Sequence, residues 1–194
     1  PDATLWRAVA NTVATPALSA ALIVGIGLGI AAALRLGRER ALPLLARIAS
    51  LGYALPGTVL ALGLLVPLAA FDNLVADASR ALFGASPGLL LLGSGAALLI
   101  AYLVRFLTIA VNGVESGYAR ISPGIDDAAR SLGADRRELL HRLHWPLMRP
   151  AIAAAALLVF VDCMKELPAT LLLRPLNFDT LATLAYAVVG LALW

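Results

Sequence analysis

Three stretches without a charged residue constrain this chain most: Thr15–Leu34 (20 residues), Ile48–Phe71 (24) and Ala81–Val104 (24). About 20 apolar residues, at about 1.5 Å rise each, cross a hydrocarbon core of ~30 Å. A helix also satisfies its own backbone hydrogen bonds, which lipid cannot do for it. The composition agrees, with 61% of the 194 residues hydrophobic, 14% charged and a mean hydropathy of +0.89. A soluble domain carries about 25% charged residues. A disordered chain and an ordinary water-soluble enzyme are thereby excluded. The predicted fold is all-α, a polytopic transmembrane helical bundle forming one domain over residues 1–194.

Four spans are predicted, over about residues 15–34, 48–71, 88–111 and 150–173, with a fifth apolar stretch over 180–194 too short to cross comfortably. Fourteen of the 15 basic residues are arginine, and Lys165 is the exception. Arg35, Arg38, Arg40 and Arg47 lie between spans one and two; Arg120, Arg130, Arg136, Arg137, Arg142 and Arg149 lie between spans three and four. The other side holds Arg7, Arg80 and Arg174. This asymmetry predicts both arginine-rich loops in the cytoplasm and the N-terminus outside. The net charge of +3 is read as loop topology rather than as nucleic-acid binding. Cys163 is the single cysteine and cannot form an internal disulfide. The chain starts at Pro1 and stops within an apolar stretch at Trp194, so it is expected to be a piece of a longer polypeptide. No G-x4-G-K-[ST] loop is present, so ATP is not bound here by that device.

Within the first span, Gly25 and Gly29 follow Ala21 at four-residue spacing and are expected to pack inside the bundle. The second span contains Pro56-Gly57, which predicts a break, either lining a pathway or simply a packing kink.

The stretch 120–149 is polar and has its own helix punctuation. Ser122 is a candidate N-cap, Pro123 suits the first helical position, and Asp126 and Asp127 favour the positive end of the helix dipole. A short helix over 125–132 should end at Gly133. Asp135 then caps a second helix with Glu138 three residues later, and Pro146 is expected to close it. Two functions fit such a hairpin. It is either a docking element, with Ala128, Ala129 and Gly133 entering a groove beside Leu132, or a loop lying on anionic headgroups.

In the fourth span Asp162, Lys165 and Glu166 are spaced i, i+3 and i+4, which predicts one shared helical face. Each ionisable group costs at least ~2.5 kcal/mol at membrane depth, so the cluster is a functional candidate. Lys165 would neutralise one carboxylate and leave one negative charge, with Pro168 ending the helix. The cluster either gates a pathway or is a buried salt-bridge network. Arg105 is expected to snorkel or to pair with a carboxylate. His141 and His144 are expected to face solvent or a partner. Ser116 has no nucleophile-elbow or H-E-x-x-H pattern near it, which argues against an intramembrane protease.

The run Asp127-Ala128-Ala129, Gly133 and Leu143-x-Trp145-Pro146 resembles the signature E-A-A-x3-G-x9-I-x-L-P of binding-protein-dependent ABC importer permeases. The spacing matches throughout, and Asp127, Leu143 and Trp145 are the departures. Tyr53-Ala-Leu-Pro56-Gly57-Thr and Lys165-Glu166-Leu-Pro168 resemble the ferric-iron branch, most closely the second half of its fused two-domain permeases. The resemblance implies a type I permease domain in the bacterial inner membrane, with the hairpin 120–149 as a cytoplasmic coupling loop. It implies coupling residues Asp127, Ala128, Ala129, Leu132, Gly133, Leu143 and Pro146, and Pro56, Gly57, Asp162, Lys165 and Glu166 as pathway or gate candidates. It further implies partners: an ATPase dimer, a second permease domain (fused or separate), a periplasmic substrate-binding protein and membrane lipid, but no nucleic acid. This chain would be no enzyme and bind no cofactor or metal, ATP and magnesium residing on the ATPase. The alternative is an ion- or proton-coupled secondary transporter using Asp162, Lys165 and Glu166, which has no need of the long hairpin.

Overall fold

A computed structural model describes residues 3–36, 44 and 51–192. Arg38, Arg40, Arg47 and the first residues of the expected second span lie outside the described residues. The main helices are α1 (Ala3–Leu36), α2 (Gly57–Phe83), α3 (Ala96–Tyr118), α4 (Pro123–Ser131), α5 (Arg136–Met164), α6 (Pro168–Leu173) and α7 (Leu181–Ala192). Among the described residues, α1, α2, α3 and α5 are long and apolar enough to cross a membrane. The short apolar helix α7 corresponds to the expected fifth stretch.

The core lies around α3. On one side Leu98, Tyr102, Phe106 and Ala110 pack with Ile23 and Val24 of α1 and with Val159 and Cys163 of α5. On the other, Ala97 and Ala101 meet Ala61 and Leu68 of α2 and Ala169 and Leu173 of α6. Close approach depends on small residues. A Cβ added at Gly27 would stand 2.9 Å from Ala110 Cβ, and one at Gly113 would stand 2.8 Å from Ala155 Cβ. The expected packing pair behaves differently: Gly25 and Gly29 have nothing within 4 Å of an added Cβ. Gly27 makes the contact because helix phase puts it on the face turned to α3, a distinction that glycine spacing does not carry.

Span boundaries also move. Helix α1 begins well before Thr15, because the lone Arg7 does not interrupt a helix. The third span starts at Ala96 rather than 88, for a physical reason. Asp72 of α2 is buried, and its carboxylate accepts the backbone N–H groups of Leu90, Leu91 and Leu92 at 3.1, 2.9 and 3.0 Å. Those amides are drawn out of any helical ladder, and Gly88 turns with φ +77°.

The fourth span differs most. Pro146 does not close a helix, because α5 runs continuously through it and through Pro150. A π-helical turn over Leu139–His144 precedes it, with Trp145 N–H donating to Leu140 O. This wider turn has already shifted the hydrogen-bond ladder, so a residue without an N–H is accommodated there. The helix then stops at Met164, and Pro168 opens α6 instead of ending the span. A proline at the first helical position loses no bond that the helix would have made.

At the end opposite the hairpin, α7 is stapled to α1. Leu181 N–H donates to Thr12 Oγ1 at 2.8 Å, and Asn11 Nδ2 donates to Asp179 O at 2.9 Å. We expect Gly27→Val and Gly113→Val to lower the melting temperature of the detergent-solubilised protein, overpacking costing about 1–3 kcal/mol. Gly25→Val should leave it within error in the same preparation. Equal effects at all three positions would contradict the assigned helix phase.

Candidate functional site

Two regions carry the sequence-predicted residues. The first is the hairpin. Pro123 begins α4, as expected, but Ser122 contributes no side-chain cap. Gly133 ends the helix with φ +89°. Its N–H donates to Arg130 O at 2.9 Å, and Ala134 N–H donates to Ala129 O at 3.0 Å. These paired bonds satisfy the last carbonyls of α4 and require the left-handed residue between them. Asp135 then caps the next helix, its Oδ1 accepting from Glu138 N–H at 2.7 Å.

Around this bend, Ala129, Leu132, Gly133, Leu139 and Leu143 line an open groove of about 360 Å³. Leu132 is 90% exposed, an apolar side chain left uncovered among the described residues. Ala128, Asp127 and Pro146 are exposed but do not line the groove. Glu138 and Arg142 line it too, while Arg130, Arg136 and Arg137 are exposed and do not. Asp127 pairs with Arg130 at 3.2 Å, both largely in solvent, a contact worth little in energy.

The residues that hold the hairpin escaped the sequence reading. Asp126, expected only to favour the helix dipole, is 4% exposed. Its Oδ2 accepts from Arg35 Nε at 3.0 Å, and its Oδ1 lies 2.9 Å from His144 Nε2. His144 is thus buried rather than facing solvent, edge-on to Tyr118 with ring centroids 5.2 Å apart, whereas His141 is exposed as expected. Burial raises the Asp126 carboxyl, but the hydrogen bonds and charges of His144 and Arg35 outweigh this and hold it below the usual carboxylate range. The available signal was one arginine closing span one, an aspartate opening the hairpin and a histidine on its return limb.

The second region lies within the bundle, where the chain breaks twice. Leu51–Ala54 forms a 3-10 turn, and Pro56 stands extended (φ −56°, ψ 139°) before α2 begins at Gly57. The other break separates α5 from α6 at Lys165–Leu167. The two interruptions meet beside Arg105, near the middle of α3. Arg105 Nη1 donates to Leu55 O at 2.6 Å, and its Nε forms an ion pair with Glu166 Oε2 at 3.1 Å. Glu166 Oε1 accepts from Ala169 N–H at 3.3 Å, its backbone O accepts from Thr170 Oγ1, and Thr170 Oγ1 also shares a 2.6 Å hydrogen bond with Tyr102 OH. A Cβ at Gly57 would overlap Glu166 Oε1 and oblige that carboxylate to shift.

This arrangement corrects the expectation of one shared charged face. Because α5 stops at Met164, Lys165 turns outward and pairs with Asp162, while Glu166 turns inward to Arg105. Both carboxylates have cationic partners, so no net negative charge remains on that part of the span.

The family described as "Binding-protein-dependent transport system inner membrane component" matches residues 25–190. The chain is 31% identical over 136 residues to the "Fe(3+)-transport system permease protein FbpB 2" of Haemophilus influenzae, covering 70% of this chain and 24% of that protein. It is 30% identical over 91 residues to the "Ferric transport system permease protein FbpB" of Actinobacillus pleuropneumoniae (47% and 13% covered). A "Putative 2-aminoethylphosphonate transport system permease protein PhnV" of Salmonella typhimurium is 32% identical over 90 residues (46% and 34% covered). The chain spans about a third or less of the length of each of these relatives.

Glu166→Gln should destabilise the fold by about 1–3 kcal/mol, since it leaves the half-buried Arg105 without its counter-charge. Pairing it with Arg105→Gln should recover part of that loss, as read by thermal melting.

Proposed function

Because the chain belongs to the family of binding-protein-dependent transport system inner membrane components, we propose that it is the membrane-spanning permease domain of an ATP-driven importer. It is a multi-pass membrane protein with four helices suited to spanning among the described residues. The observation that carries the proposal is the hairpin: a bend at Gly133 presents the exposed Leu132 on an open groove that Ala129, Leu139 and Leu143 also line. In this reading the arginine-rich end is cytoplasmic, and the groove and Leu132 receive the surface of a separate ATPase subunit. ATP and magnesium bind that subunit, and this chain performs no hydrolysis. Closure of an ATPase dimer draws the hairpin of this domain toward that of a second permease domain, and the pathway turns outward. A periplasmic binding protein then delivers the cargo.

Ferric iron is the proposed cargo, supported by the names of the Haemophilus and Actinobacillus relatives. The residues near Pro56, Gly57 and Glu166 are assigned to the pathway wall, because the start of α2 and the break between α5 and α6 meet there around a polar cluster. The ion-coupled alternative draws no support from the geometry. Asp162 and Glu166 are both neutralised by partners, where a coupling carboxylate would need to exchange its charge.

The test is copurification of the complete permease with its ATPase, followed by ATP hydrolysis assays with binding protein loaded with ferric iron or with 2-aminoethylphosphonate. Stimulation by the ferric form supports the assignment; stimulation by the phosphonate form alone would overturn the cargo, and no association with an ATPase would overturn the importer. Gly133→Val places a β-branched residue in a left-handed conformation, at about 1–2 kcal/mol. It should abolish transport while membrane insertion persists, and normal uptake by this variant would count against the coupling role.

A further inference from the structure

Helix α4 carries the hairpin's bend, yet it has no broad packing face against any other described element. Its buried side chain is Asp126. The two carboxylate oxygens go to different spans, Oδ2 to Arg35 at the end of α1 and Oδ1 to His144 at the root of α5. Arg35 also donates from Nη2 to Ile121 O at 3.0 Å, so one guanidinium grips both the entry to the hairpin and its first helix. His144 in turn rests edge-on against Tyr118 at the end of α3. Two spans are therefore bonded to one acidic side chain, and a third reaches it through His144. An apolar contact lets a helix slide at little cost, whereas charged hydrogen bonds of fixed direction in a buried setting resist displacement.

We propose that Asp126 is the joint through which movement of α4 is passed to α1 and α5, with Arg35 and His144 as its positioning partners. The inference rests on the importer reading above. When the ATPase displaces Leu132, α4 moves with it, and the two bonds of Asp126 carry that movement to both spans at once. With the joint cut, the hairpin follows the ATPase while the spans lag, and ATP is consumed without import.

The experiment uses the complete transporter in proteoliposomes, with its ATPase and cargo-loaded binding protein, and measures ATP hydrolysed per cargo molecule imported. Asp126→Ala and His144→Ala should each raise that ratio by about tenfold, a typical coupling effect. The double variant should be no worse than Asp126→Ala, because both changes cut the same joint. Arg35→Lys, which keeps the charge, should stay within about twofold of the unaltered protein, and Arg35→Gln should not. Where Asp126→Ala fails to accumulate in membranes, the isosteric Asp126→Asn carries the same expectation. An unchanged ratio in assembled variants, or strictly additive effects, would overturn the joint. If the unaltered complex itself imports nothing at the expense of ATP, the importer reading fails instead.

Discussion

Backbone at membrane depth must find hydrogen-bond partners within the protein, and this requirement organises the centre of the molecule. One spanning segment breaks between α5 and α6, and another begins at Gly57 after a 3-10 turn, each leaving carbonyls and amides that a continuous helix would have used. They are placed against each other across Arg105. Arg105 binds the free carbonyl of Leu55 and the Glu166 carboxylate, and that carboxylate accepts an amide at the start of α6. The side chains needed are costly in hydrocarbon singly and tolerable together. Gly57 completes the arrangement by being absent of bulk where the carboxylate lies.

The same logic recurs at the hairpin with a different result. Asp126, Arg35 and His144 form a compact polar group at the arginine-rich end, where α4 otherwise lacks packing. Charge substitutes for apolar area in fixing a small helix. A helix held by a few directed bonds keeps its apolar tip free, and Leu132 remains open to a partner. The exposed tip and the buried root are thus two requirements on the stretch 123–132, met near its two ends.

Much of this was legible in the sequence. Uncharged runs located the spans, and Pro123, Gly133 and Asp135 marked the hairpin's helices because each acts through local backbone chemistry. Pro56 marked a break for the same reason. What failed was whatever depended on a partner distant in the chain. Counting charges misplaced the third span, since Asp72 takes the amides of Leu90–Leu92 out of helix and Arg105 continues the helix by finding Glu166. Pro146 was misread because a π turn absorbs its missing donor. The pairing of Asp126 with His144 could not be seen, as spacing within one loop says nothing about which side chain turns inward.

The Asp72 carboxylate gives the bundle a mechanical asymmetry. It gathers three consecutive amides into one anchored turn, so the connection between α2 and α3 is stiff without help from any other molecule. The far end, by contrast, carries a short helix tied by the bonds of Asp126 to Arg35 and His144 and by Arg35 to Ile121 O. The two ends are thus braced differently, one by three backbone amides on a single carboxylate and the other by charged side chains that a neighbouring molecule could load.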